Sequence, residues 1–206
     1  MLRLRLPLVL ASQSPRRRDL LSAIGLSFSV HPSHAEEVWP DGSPPSAAVE
    51  ALALQKAEAV AAHYPDALTL GADTVVVLHD GPDEAPPSAP VLGKPTDAAH
   101  AVQTLRQLSG RTHQVYSGLA LVHPVSGRSV TASECTVVQF APLSGDEIDA
   151  YVASGSPMDK AGAYGIQDDA GALFVAGVHG DYYNVVGLPL HRLYRTLRAH
   201  FADLLL

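Results

Sequence analysis

One stretch constrains the architecture of this chain more than any other: "TLGADTVVVLHD", residues 69–80, an apolar run that lacks the regular polar alternation of a half-exposed strand. It reads as a buried strand. Helical patterns flank it. One runs from about Ser46 to His63; another, in "GKPTDAAHAVQTLRQLSGRT", starts at Thr96, ends at Gly110 and turns Val102, Leu105 and Leu108 inward. Further strands are read at about Leu8 to Ser12, near Phe28 to Val30, in "THQVYSGLALVHP" and "RSVTASECTVVQF" joined as a hairpin at "VSGR", and in "GALFVAGVHG". Further helices open at Ser14-Pro15, at a Ser144–Glu147 capping box, and in "GLPLHRLYRTLRAHFADLL". Strands and helices interleave throughout, so the class is α/β, and the hairpin makes the sheet mixed. The Pro-rich "DGPDEAPPSAP" is a long hairpin tip or loop.

With 206 residues, 47% of them apolar and 17% charged, the chain suits one domain, 1–206, with a sizeable core. Its formal charge of −7 argues against nucleic-acid binding, which needs a broad basic surface. Any anion must be held locally. Cys135 is the one cysteine and cannot form an internal disulfide, which points to a reducing compartment. In "MLRLRLPLVLAS" the apolar run is too short for a signal core or a membrane span and is interrupted by Pro7, so it reads as a first buried strand and the protein as cytoplasmic. The ten histidines are scattered without metal-ligand spacing, and none is assigned as a ligand.

Three consecutive arginines, Arg16, Arg17 and Arg18, fall in the first turn of a helix, at the positive end of its dipole. They form either a solvated basic patch or an anion site, in which the free N–H groups of the helix start and the guanidinium forks hold a phosphate. Lys56 lies within an apolar stripe of Val49, Leu52 and Val60. It either snorkels to the surface or crosses toward a carboxylate or phosphate. Asp73 precedes a run of apolar residues at the expected end of a central strand, as a turn residue or as a group placed where α/β sheets collect ligands. Lys94, in "LGKP", sits on a tight turn with the same two readings.

The joint arrangement is more specific. "LASQSPRRRDLL", "GADTVVV", "LGKP", "LSGRTHQVYSG", "DKAGAYGIQ" and "NVVGLPL" occur in the order found in the Maf family of nucleoside triphosphate pyrophosphatases, and the resemblance runs from Leu10 to about Leu190. The Pro-rich loop is longer than the family's usual hairpin. The resemblance implies an elongated mixed sheet flanked by helices, similar to the inosine triphosphatase-like fold, and a homodimer. It also implies hydrolysis of a nucleoside triphosphate to the monophosphate and pyrophosphate. Carried over, Asp73 matches the family's proton acceptor, and Ser12, Arg16, Arg17, Lys56 and Lys94 match residues lining the triphosphate site. Glu37, in "AEEVWP", falls where the family has an active-site acid. Lys160 joins the set from its place in "DKAG".

A triphosphate carries about four negative charges, so attack at its α-phosphorus calls for cations and commonly a divalent metal, Mg²⁺ or Mn²⁺, which Asp73 and Glu37 suit as oxygen ligands. Arg16, Thr74 and Gln167 resemble the combination of the dTTP/UTP branch; the 7-methyl-GTP branch tends toward Trp, Gln and Glu. A Gln amide presents one donor and one acceptor, the complement of N3–H and O4 of uracil or thymine. A 7-methyl-GTP pyrophosphatase is the first competing reading. The second is a cell-division regulator with secondary hydrolysis, and an intact Asp73, Glu37 and basic cluster favours the enzyme over it.

Overall fold

The computed structural model describes residues 2–206 apart from Asp169 and from Pro82 of the Pro-rich loop, so what is read for those two lies outside the described residues. The apolar run forms β3 (Leu68–Val77), buried along its length except at half-buried Thr74. It lies inside one mixed sheet with β1 (Leu8–Leu10), β2 (Ser29–Val30), β4 (Val91–Leu92), β5 (Thr112–His123), β6 (Arg128–Phe140) and β7 (Val175–His179). The order is β2-β1-β3-β5-β6-β7, with β4 also paired to β3. β1 is parallel to both its neighbours, and the remaining pairs are antiparallel. The short apolar run near the N-terminus is thus an inner strand.

Residues alternate between the two faces of β3. Leu68, Leu70, Ala72 and Val76 join the main core together with Leu20 and Leu21 of α1 (Pro15–Ala23), Leu105 and Leu108 of α3 (Ala98–Leu108), Ile148 and Tyr151 of α4 (Gly145–Ala153), and Leu193 and Leu197 of α6 (Leu190–His200). The other face carries α2 (Pro45–Ala61). Two glycines let α2 lie unusually close. Gly118 pairs with Asp73 across the sheet, and a Cβ on it would overlap the Val49 carbonyl; a Cβ on Gly71 would overlap that of Ala53. The helix answers with alanine: Ala53, Ala57 and Ala61 pack against Ala120 and Val122.

The register places the site. β5 covers one edge of β3 from Thr69 to Val77. On the opposite edge β1 reaches only Leu70, and β4 begins at Val76. Between them residues 71–75 have no strand beside them among the described residues, and the sheet has a notch.

Several local expectations are corrected. Asp73 is in the middle of β3, not at its end; the notch supplies the opening that a strand end would have given. The third helix is capped by Asp97, whose carboxylate accepts from the His100 amide, and not by Thr96; Ala101 and Thr104 share its buried face, while Val102 is only partly buried. Ser14 holds the N-cap backbone position of α1 without a side-chain cap bond, and its amide instead donates to Ser12 Oγ. In "GALFV" residues Gly171–Phe174 form a 3-10 turn before β7. A short helix, α5 (Tyr182–Val186), had no clear periodic signal. The capping box at Ser144 and Glu147 is present as read.

Candidate active site

A cavity of about 440 Å³ opens at the notch. Five cationic side chains line it, Arg16, Arg17, Lys56, Lys94 and Lys160, against three acidic ones, Glu37, Asp73 and Asp159. In a chain of net charge −7 this local positive excess is of the kind that suits an anion.

At its floor, Lys56 of α2 reaches through the apolar stripe to Asp73 on β3. The Nζ–Oδ1 distance is 2.5 Å, and Glu37 Oε1 approaches the same ammonium to 2.9 Å. Lys56 and Asp73 keep only 13% and 11% of their side-chain surface exposed, while Glu37 keeps 56%. The Lys56–Asp73 pair is therefore largely desolvated, whereas Glu37 reaches it from the solvent side. Of the two readings of Lys56, the crossing one is observed.

Arg17 donates from all three guanidinium nitrogens: Nε to the Gly187 carbonyl at 2.9 Å, and the other two to Ser12 Oγ and Thr74 Oγ1, each at 3.1 Å. Every acceptor is uncharged. Desolvation pulls Arg17 below the usual guanidinium pKa, partly offset by the nearby Asp73 charge. Arg16 is compensated directly by Asp159, at 2.7 Å, and by that residue's carbonyl. Arg18 is exposed at the surface. Ser12 is buried behind Arg17 and does not line the cavity. Lys94 is exposed at the rim and has no acidic partner among the described residues.

The far end of the cavity is built from Tyr164, Gly165, Gln167 and the Val185–Gly187 segment. Gln167 is exposed at a turn closed by the Asp168 amide donating to the Gly165 carbonyl at 3.1 Å. Tyr164 is buried, with its hydroxyl 2.8 Å from Nε2 of the wholly buried His113. Burial pulls that imidazole down to about 3 and raises the Tyr164 phenol well above its ordinary value. Lys160, although at the cavity wall, points its ammonium into protein: Ser156 O at 2.6 Å, Asp159 Oδ1 at 2.7 Å and Asp168 Oδ2 at 3.0 Å.

The structure thus gathers Arg16, Arg17, Lys56, Asp73, Thr74, Glu37, Lys94, Lys160 and Gln167 around one space and sets Ser12 behind it. Sequence reasoning missed Asp159, Asp168, Tyr164 and His113. Asp159 and Tyr164 sit in or beside "DKAGAYGIQ", which was the available signal; nothing local distinguished His113. No group of three His, Cys, Asp or Glu side chains suited to a metal occurs among the described residues. Two carboxylates converging on one ammonium still fit a hard cation whose remaining ligands are phosphate oxygens and water, as Mg²⁺ is commonly held. No helix among the described residues is long and apolar enough to cross a membrane.

Residues 7–200 match the family described as Maf-like protein. A dTTP/UTP pyrophosphatase of Salinibacter ruber is 55% identical over 205 residues, covering 100% of this chain and 96% of the relative. One of Moorella thermoacetica is 52% identical, covering 95% and 96%. A crystal structure of a nucleoside-triphosphatase / dITP/XTP pyrophosphatase from Mycobacterium abscessus superposes with a TM-score of 0.45 at 16% identity, covering 96% of this chain and 97% of that one, a likeness too loose to add to the topology above.

Proposed function

The chain belongs to the Maf family, and on that premise we propose that it hydrolyses dTTP and UTP to the monophosphate and pyrophosphate. The observation that carries the reading is the Asp73–Lys56–Glu37 cluster at the floor of a cation-lined cavity, in a sheet notch faced by the start of α1. A binding protein needs cations for a triphosphate; it does not need a carboxylate buried mid-strand beside them.

The triphosphate lies along Arg17, Lys56 and Lys94, near the N-terminus of α1, where dipole and cations act together. Arg17 is held by neutral oxygens alone, so its charge, like that of Lys94, is not already spent on a carboxylate. The second oxygen of Asp73 carries no hydrogen bond among the described residues. It accepts a proton from the water that attacks the α-phosphorus, and the pyrophosphate oxygen leaves on the opposite side. Lys56 orients that carboxylate and neutralises charge as the bond breaks. Asp73 and Glu37 would hold a divalent ion such as Mg²⁺ or Mn²⁺, which when bound draws charge from the phosphate oxygens.

At the other end, Gln167 presents one donor and one acceptor to O4 and N3–H of uracil or thymine. The reading includes a cytoplasmic homodimer acting on free nucleotides, as the family resemblance implies. A pyrophosphate-release assay over a nucleotide panel with Mg²⁺ and with Mn²⁺ tests it. Release from dTTP and UTP in preference to purine triphosphates is expected; none from either pyrimidine with either metal overturns it.

A further inference from the structure

Lys160 is 8% exposed and lies at the wall of the 440 Å³ cavity, yet its ammonium is already satisfied. A lysine has three N–H donors. In this fold they donate to the Ser156 carbonyl at 2.6 Å, to Asp159 Oδ1 at 2.7 Å and, more weakly, to Ser156 Oγ at 3.4 Å, while Asp168 Oδ2 forms an ion pair with the ammonium at 3.0 Å. To reach a phosphate the ammonium, itself poorly solvated, would have to abandon one of two carboxylates, the exposed Asp159 or the largely buried Asp168.

What those acceptors are attached to matters. Asp159 also holds Arg16, at the phosphate end. Asp168 closes the turn whose tip is Gln167, at the base end. Its carboxylate is further fixed by Ser156 Oγ at 2.7 Å, and it is tucked under Gly165, where a Cβ would meet Asp168 Cγ at 2.6 Å. The Tyr151 hydroxyl, reaching Asp168 at 3.4 Å, also accepts from the Gly165 amide at 3.2 Å, so both ends of the turn are tied to one cluster. Gln167 itself makes no hydrogen bond among the described residues; its position depends on this turn.

We infer that Lys160 is a positioning residue for base selection: its ammonium knots Ser156, Asp159 and Asp168 together, and so holds Gln167 over the cavity without touching the nucleotide. The inference rests on the pyrimidine-triphosphate reading above. Gln167 can discriminate only if its amide is kept in register with the base edge, since a side chain free to swing satisfies a wrong base as readily as a right one.

The test uses the full chain, with folding of each variant checked by thermal melting. Wild-type pyrophosphate release from UTP is measured first; its absence refutes the functional reading, and the inference falls with it. Given that activity, Lys160→Met and Asp168→Asn are compared for kcat/KM on UTP and on GTP, and for inhibition by inorganic pyrophosphate, which reports on the phosphate cradle and not on the base. The expected result is a UTP/GTP ratio lowered about tenfold in both variants, through KM for UTP, with pyrophosphate inhibition within about twofold of wild type. Lys160→Arg, which keeps the charge, should restore part of the ratio. Asp168→Asn alone decides if Lys160→Met does not fold. An unchanged ratio in a folded variant overturns the inference. So does pyrophosphate inhibition weakened about tenfold or more, which would make Lys160 a phosphate ligand.

Discussion

Gly118→Ala should damage catalysis although the residue lies outside the cavity and carries no functional group. A Cβ there would be 2.7 Å from the Glu50 amide nitrogen and would overlap the Val49 carbonyl. Carbon contacts relax at about 3.5 Å, so α2 must retreat from the sheet by about 1 Å. Both colliding atoms are helix backbone, which has no rotamer to escape into. Lys56 rides on that helix, one to two turns away, and Asp73 sits directly across the sheet from Gly118. The retreat therefore opens the 2.5 Å Lys56–Asp73 contact. Overpacking of this kind costs about 1–3 kcal/mol, and a displacement of about 1 Å at reacting groups costs up to about 100-fold in rate. Urea unfolding and pyrophosphate release from UTP would be measured together, with Gly145→Ala as the control, because nothing lies within 4 Å of a Cβ there. If Gly118→Ala matches the control in both stability and turnover, the close approach of α2 is not what places Lys56 against Asp73, and the reasoning from helix packing to catalysis fails.

Asp73→Asn should keep the fold and lose about 100- to 10,000-fold in turnover, the usual range for a positioned base; near-normal pyrophosphate release would remove Asp73 from proton transfer. Gln167→Glu replaces a donor–acceptor pair with acceptors only, and one lost hydrogen bond of about 1 kcal/mol should lower the UTP/GTP ratio by about fivefold to tenfold; an unaltered ratio would refute the base contact. His113 predicts an acid-sensitive core. Burial pulls its pKa to about 3 from an ordinary 6.5, so between those values only the unfolded chain takes up the proton. Its contribution is full above about pH 6.5 and is lost as pH falls toward 3, at about 1.4 kcal/mol per pH unit. Urea midpoints between pH 7 and 4 should fall more steeply for wild type than for His113→Phe, and parallel curves would show that the ring is not held neutral.

Much of this could be read before any fold was known, and the reason is local. The apolar run of β3, the capping box at Ser144, the inward leucines of α3 and the anomalous placement of Arg16, Arg17, Lys56 and Asp73 all depend on side-chain period and neighbouring charge, which a one-dimensional pattern carries. The order of the motifs carried the family in the same way. α5 was hidden because five residues are too few for a helical period to show. Asp97 displaced Thr96 as the cap because the choice turns on which side chain reaches the His100 amide.

Residue pattern alone was enough to set the class of the fold and the kinds of charge that had to be brought together: unpaired cations and one carboxylate cannot be left in a core, so they announce a ligand. Where they meet, and which partner each one has, depends on the folded chain. The notch exists because β1 stops at Leu70 and β4 starts at Val76 on the same edge. Lys56 finds Asp73 because two glycines, one of them on β5, let α2 touch the sheet. Arg16 and Lys160 are spoken for by Asp159 and Asp168, whereas Arg17 is left with neutral partners. Arg16 with Asp159 and Arg17 with Gly187 are pairings between residues far apart in the chain, and no window of sequence contains the distance that decides them.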